Sequence, residues 1–192
     1  MAERGSAFSP RVYESVDSTN TVLAALAREG APEFTAVIAG AQTAGRGRGE
    51  HRFFSPAGCG VYFSLLLRPR FPAETAAKLI TPASAVAAAQ AIERVSGETA
   101  GIKWVNDIFV RGRKVCGILT EAGADLESGQ LEWLVAGIGL NLTSRPEDWP
   151  EELRPIAGSL YPGGPAPVSR AALAGEIARQ RLSLIHISEP TR

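Results

Sequence analysis

The chain has 192 residues, and its 20 Lys and Arg balance 20 Asp and Glu, so the formal net charge at pH 7 is zero. That balance excludes a global electrostatic pull toward nucleic acid or an anionic membrane, and any basic site has to be local. With 45% hydrophobic and 21% charged residues, the composition is that of a globular protein with room for one domain, or one domain and part of a second.

No apolar run approaches the roughly 18 residues of a membrane span, and Met1-Ala2-Glu3-Arg4 lacks the apolar core of a signal peptide. Cys59 and Cys116 lie far apart, and His51 and His186 are the only histidines. They make neither a disulfide framework nor a zinc site, so a reducing cytoplasm is the expected setting.

Residues 1–10 read as a loose lead-in. Ser18 or Thr19 is placed to cap a helix with Val22, Leu23, Leu26 and Ala27 on one face and Gly30 as its stop. Thr35 to Ala39 reads as a strand, followed by a glycine- and arginine-rich loop from about Gln42 to Gly58. Val61 to Leu67 reads as a largely buried strand ended by Arg68-Pro69. An alanine-rich helix is expected from about Glu74 to Val95, broken or restarted near Thr81-Pro82 and closed by Gly97. Ile108 to Val110 and Val115 to Leu119 flank a four-residue link containing Gly112, a hairpin signal. Leu131 to Ala136 is an apolar strand entering Gly137-Ile138-Gly139-Leu140-Asn141.

Clustered strands mixed with helices, without strict alternation, predict an α+β domain with a mixed sheet and flanking helices. The domain is expected over residues 11–181. Residues 182–192 resemble the conceptual translation of a transposase-type sequencing adapter, which implies a truncated gene and a missing native C-terminus. The other reading is a natural helix end in which Leu173, Ile177 and Leu184 share an apolar stripe.

Gln42-Thr43-Ala44-Gly45-Arg46-Gly47-Arg48-Gly49 is the densest chemical signal. Glycines let a backbone approach a ligand closely, and guanidinium forks suit carboxylate and phosphate oxygens. A P-loop is excluded because Arg46 and Gly47 stand where it needs Lys and Ser or Thr, and a dinucleotide fingerprint fails at Glu50. One short basic loop without aromatic interleaving is a poor nucleic-acid segment. Against a merely solvated loop stands its position between two strong strands, which favours a small-molecule anion site.

Six segments in order resemble the biotin protein ligase family. They are Asp17-Ser18-Thr19-Asn20, Gln42 to Arg48, Phe54-Ser55-Pro56, Lys103-Trp104-Val105-Asn106-Asp107, Gly112 to Glu121, and Gly137 to Leu142. The match spans roughly residues 12 to 160. It implies a catalytic domain of the class II aminoacyl-tRNA synthetase and biotin ligase type, which activates biotin with Mg-ATP to biotinyl-5′-adenylate and transfers it to a lysine of a biotin carboxyl carrier protein.

Carried over residue by residue, the resemblance implies that Ser18, Thr19, Asn20, Gln42, Arg46, Gly47, Arg48, Lys103 and Gly117 hold biotin. It places Arg48, His51, Phe53, Lys103, Asn141 and Ala157 on the ATP side. Lys103 and Arg48 would be the catalytic pair, as electrostatic stabilisers of two anions brought together and not as nucleophiles. Asp107 either orients donors and helps hold metal or is a turn residue. Three positions depart from the family pattern: Val105 replaces a proline, His51 an arginine, and Phe53 a tryptophan that packs on adenine.

On the same fold, a lipoate or octanoate ligase is the first alternative; the pairing of Gln42 with Arg46-Gly47-Arg48 argues for the biotin branch. A DNA-binding repressor is the second, and the sixteen or so residues before Ser18 leave no room for a helix-turn-helix. A third is a fragment that binds ligand and transfers poorly, since the small C-terminal β-barrel of the family is not in the sequence. The resemblance also allows a homodimer.

Overall fold

The computed structural model describes residues 9–69, 73–124 and 130–188. In chain order the elements are β1 (Ser9–Tyr13), α1 (Thr19–Arg28), β2 (Thr35–Ala39), β3 (Gly60–Leu67), α2 (Ala73–Ser96), β4 (Gly101–Lys103), β5 (Asp107–Val110), β6 (Arg113–Ala124), β7 (Leu131–Asn141) and α3 (Arg170–Ser188). A 3-10 turn covers Pro146–Asp148. Among the described residues, seven strands form one sheet in the order β1-β2-β3-β7-β6-β5-β4. β1 and β2 pair in parallel and every other neighbouring pair is antiparallel, so the sheet is mixed and the fold is α+β.

Every residue of β3 is buried, because alternate side chains enter two different layers. Val61, Phe63, Leu65 and Leu67 join the larger core with Ala76, Ile80, Ala85, Ala88 and Ile92 of α2 and Leu173 and Ile177 of α3. Leu66 enters a smaller core on the opposite face, with Leu23 and Ala27 of α1, Val37, Trp133 and Val135. Val22 and Leu26 pack against that smaller core, as their spacing with Leu23 and Ala27 requires. Each fully buried Leu, Ile or Phe contributes about 1.5–3 kcal/mol, so the central strands anchor all three helices.

The same parity creates a gap. On β7 the larger core takes Leu134, Ala136, Ile138 and Leu140, and the smaller takes Trp133 and Val135. Continuing the second set, the next residues on that face are Gly137, under Asn20 at the start of α1, and Gly139. Gly117 of β6 pairs with Gly139. Bare backbone replaces side chains there, which makes room for Asn20 and Phe53 to lie against the sheet.

Several expectations are corrected. The lead-in falls mainly on residues outside the description, while Ser9 and Pro10 belong to β1, which the short polar sequence did not announce. α2 is continuous through Pro82; burial of Ile80 and Ala85 on either side of the proline holds both halves on the sheet against a local cost of about 3 kcal/mol. The hairpin link is two residues and not four: Arg111 and Gly112 have φ of +50° and +71°, the conformation that two-residue hairpins need. β7 runs unbroken from Leu131 to Asn141. Ser18 occupies the N-cap of α1 but makes no side-chain cap hydrogen bond; Asp17 Oδ1 accepts from its backbone N–H at 2.6 Å. In α3, Leu173 and Ile177 enter the core, and the side chain of Leu184 lies outside the described residues.

Candidate active site

Over the glycine-lined end of the sheet lies a cavity of about 510 Å³. The start of α1 forms one wall. Thr19 Oγ1 lies 3.2 Å from Gln42 Oε1, and the Thr19 backbone N–H donates to the same oxygen at 2.8 Å. Gln42 Nε2 donates to Ser55 Oγ at 2.8 Å, and Ser55 Oγ donates to the Phe53 carbonyl at 3.0 Å. From the floor, Ser64 Oγ reaches Thr19 Oγ1 at 2.8 Å and Asn20 Oδ1 at 2.6 Å. Asn20 Nδ2 donates to the Leu119 carbonyl at 3.2 Å and to Glu121 Oε2 at 2.8 Å. Buried polar groups are stable when their partners are present, and this chain of bonds fixes the head of the cavity before any ligand arrives.

The arginine loop folds back on itself to form the opposite wall. Gly47 N–H donates to the His51 carbonyl at 2.8 Å and Phe53 N–H to the Gly45 carbonyl at 2.9 Å. A Cβ on Gly45 would stand 2.3 Å from the Phe53 oxygen, so only glycine permits that crossing. Arg46, Arg48, His51 and Arg52 all line the cavity, with Glu50 among them, so this loop gathers basic side chains locally in a neutral chain.

Phe53 lies over the paired glycines. A Cβ on Gly139 would come within 2.5 Å of its ring and one on Gly117 within 3.2 Å. Tyr62 meets the same ring edge-on, with centroids 6.5 Å apart; its hydroxyl donates to the Pro56 carbonyl at 3.0 Å, and burial pushes the phenol well above its usual range.

At the far end Asp107 and Lys114 enter the lining. Lys114 Nζ stands 2.8 Å from Asp107 Oδ1 as an ion pair, although the ammonium is not aligned for a hydrogen bond to that buried oxygen. Asn106 pins the adjoining strand: its Nδ2 donates to the Ile118 carbonyl at 3.2 Å, and its own carbonyl accepts from the Ile118 N–H at 2.8 Å.

Of the sequence candidates, Ser18, Thr19, Asn20, Gln42, Arg46, Gly47, Arg48, His51, Phe53, Asp107 and Gly117 share this one cavity. Three stand outside its lining. Lys103 is exposed at the edge strand β4, with Nζ 5.8 Å from the Phe109 ring centroid. Its apolar neighbours do not bury it, since Ile102 and Trp104 are 38% and 79% exposed. Its Cα is nevertheless paired with that of Asp107, so the two side chains leave the same face of the sheet at the cavity rim. Asn141 is buried and its Nδ2 donates to the Gly158 carbonyl at 3.1 Å. Ala157 bridges in parallel to Lys114. Asn141 and Ala157 thus secure the segment behind Lys114.

Lys114, Glu121, Gly137 and Gly139 fell within the matched segments without a role of their own, and Ser64 lay outside them. Gly137 and Gly139 carried a legible signal, two glycines two apart in an apolar strand.

Among the described residues, no three His, Cys, Asp or Glu side chains are grouped to hold a metal ion. Asp107 stands beside Lys114 as an ion pair.

Comparison with known proteins agrees with this architecture. Residues 12–141 match the biotin/lipoate A/B protein ligase family. The bifunctional ligase/repressor BirA of Bacillus subtilis (strain 168) is 41% identical over 165 residues, covering 86% of this chain and 50% of that protein. A biotin–[acetyl-CoA-carboxylase] ligase of Paracoccus denitrificans is 37% identical over 155 residues, covering 80% and 59%. The chain thus spans half to three-fifths of the length of these relatives. Among solved structures, the biotin protein ligase from Aquifex aeolicus in complex with biotin and ATP superposes with a TM-score of 0.74 at 28% identity, covering 93% of this chain and 70% of that one. The chain belongs to the biotin/lipoate A/B protein ligase family.

Proposed function

We propose that this chain is the catalytic domain of a biotin–protein ligase, which joins biotin to AMP at the expense of ATP and passes the biotinyl group to a lysine of a biotin carboxyl carrier protein. The observation that carries this reading is the shared cavity, in which a prearranged neutral hydrogen-bonding head around Ser18, Thr19, Asn20 and Gln42 faces Arg46 and Arg48. A relative named as a biotin–[acetyl-CoA-carboxylase] ligase supports it. A ring urea has both donors and acceptors for the head, and a carboxylate tail suits a guanidinium such as that of Arg48.

In the first step a carboxylate oxygen of biotin attacks the α-phosphorus of ATP and pyrophosphate leaves. In the second, the acceptor amine attacks the acyl carbon, and AMP leaves. Both steps bring anionic oxygens together or build charge, so the work of the protein is alignment and charge compensation. Arg48 supplies a guanidinium from within the cavity, and Lys103 supplies an ammonium by rotating in from the rim. Phe53 offers an aromatic face to the nucleotide base. Mg²⁺ would enter as part of the ATP substrate and would offset phosphate charge there.

The same proposal places the protein in the cytoplasm; among the described residues no helix is long and apolar enough to cross a membrane. A lipoate or octanoate ligase is the competing reading within the family. The test is pyrophosphate release by the purified chain with Mg-ATP and each acid, with the bound product identified by mass. Biotin-dependent release with biotinyl-adenylate retained is expected; release with lipoate and none with biotin overturns the proposal.

A further inference from the structure

Glu121 does not line the cavity, yet its carboxylate ties together two elements that do. Oε1 stands 2.8 Å from Arg46 Nη1, and Oε2 accepts from Asn20 Nδ2 at 2.8 Å. Strand β6 thereby joins the first turn of α1 to the loop that carries the guanidinium groups.

An exposed ion pair is worth little when two long side chains must be immobilised to make it. Here the carboxylate side chain is only 24% exposed. One of its oxygens is already held by Asn20, which is itself buried and fixed from its other end by Ser64. The acceptor is therefore in place before Arg46 docks, and only the arginine side chain loses freedom.

The pair also changes what the head of the cavity selects. An uncompensated guanidinium beside Ser18 and Asn20 would attract the carboxylate of a ligand as strongly as Arg48 does. With Glu121 matched to Arg46, that end is close to neutral, while among the described residues no carboxylate pairs with Arg48.

We infer that Glu121 is a positioning residue that latches Arg46 to the cavity floor, reserving the Ser18–Asn20 end for an uncharged hydrogen-bonding head and leaving Arg48 for the carboxylate of the ligand. The inference rests on the function proposed above for its choice of ligand, and the latch itself can be measured without one.

In the ligand-free chain, Glu121→Gln frees the Arg46 side chain for trypsin, and cleavage after Arg46 accelerates several-fold over wild type. With biotin, the same variant raises the KM for biotin about tenfold, the scale of a lost charge-assisted hydrogen bond, and leaves the kcat of adenylate formation within about twofold. In an Arg46→Ala background, Glu121→Gln adds less than about a further twofold, because its effect passes through Arg46. Unchanged cleavage and unchanged KM overturn the inference, and so does a Glu121→Gln effect that persists in full without Arg46. Should the Gln variant not fold, Glu121→Asp, which keeps the charge but is too short to span both partners, is held to the same criteria. A wild-type chain that takes no biotin at all would refute the proposed function, while the cleavage rates would still judge the latch.

Discussion

Gly137 and Asn20 face each other so closely that a Cβ on Gly137 would stand 2.1 Å from Asn20 Oδ1. Asn20 is also held by Ser64, Leu119 and Glu121, so it cannot retreat without breaking the polar network at the head of the cavity. Gly137→Ala is expected to cost about 1–3 kcal/mol of stability through overpacking and to weaken biotin binding at least tenfold. Thermal unfolding and equilibrium binding measure the two effects separately. A variant that keeps wild-type affinity would show that Asn20 is not part of the ligand head.

Gly139 does for Phe53 what Gly137 does for Asn20. The Cβ of alanine at 139 would come within 2.5 Å of the Phe53 ring, so that partly buried ring is the group that has to shift. Gly139→Ala should therefore leave biotin affinity within about threefold and raise the KM for ATP about tenfold, on the scale of an aromatic contact and its buried area. Steady-state kinetics with each substrate varied in turn make the comparison. Equal effects on both substrates would remove Phe53 from the nucleotide side.

Arg48 and Lys103 are separated by their positions and not by their charge. Arg48 lines the cavity, whereas the ammonium of Lys103 rests near Phe109 outside it. Arg48→Ala should lower kcat/KM for adenylate formation by about 10²–10³, the usual loss for one preorganised charge donor, and weaken biotin binding as well. Lys103→Ala should lower kcat by about 10²-fold while the dissociation constant of biotin stays within about twofold, because that ammonium joins only as charge develops. Single-turnover adenylate formation alongside binding isotherms tests both. If Lys103→Ala reacts at the wild-type rate, the side chain does not rotate in.

The thiols differ in the same way. Cys116 is fully buried in the larger core, and burial pushes its thiol well above the usual range; Cys59 is only partly buried. A disulfide reagent should titrate one thiol in the native protein and two after denaturation. The folded chain keeps its protons on Cys116 and Tyr62 where the unfolded chain releases them, so stability is complete below the ordinary thiol value of 9.0 and falls as pH rises past it. Urea midpoints measured between pH 7 and pH 11 should decline from about pH 9 upward; a flat profile would mean that neither group stays protonated in the fold.

Composition and periodicity determined the α+β class, the helix beginning at Thr19 and the strands at 35–39 and 61–67. Those features are local: alternation and helical spacing follow from the chain's own geometry, and Gly45-Arg46-Gly47-Arg48 carries its chemistry in its residue types. Only the tertiary structure decided that α2 passes through Pro82, that Lys114 and not Lys103 rests in the cavity, and that Asn141 and Ala157 brace the segment behind it. Each of these depends on partners distant in sequence. The proline is tolerated because the sheet holds both halves of its helix. Lys103 emerges on an edge strand whose exposure no local pattern reveals. Glu121 gained its place the same way, since a carboxylate within β6 meets residues 20 and 46 only when folding brings them to its two oxygens.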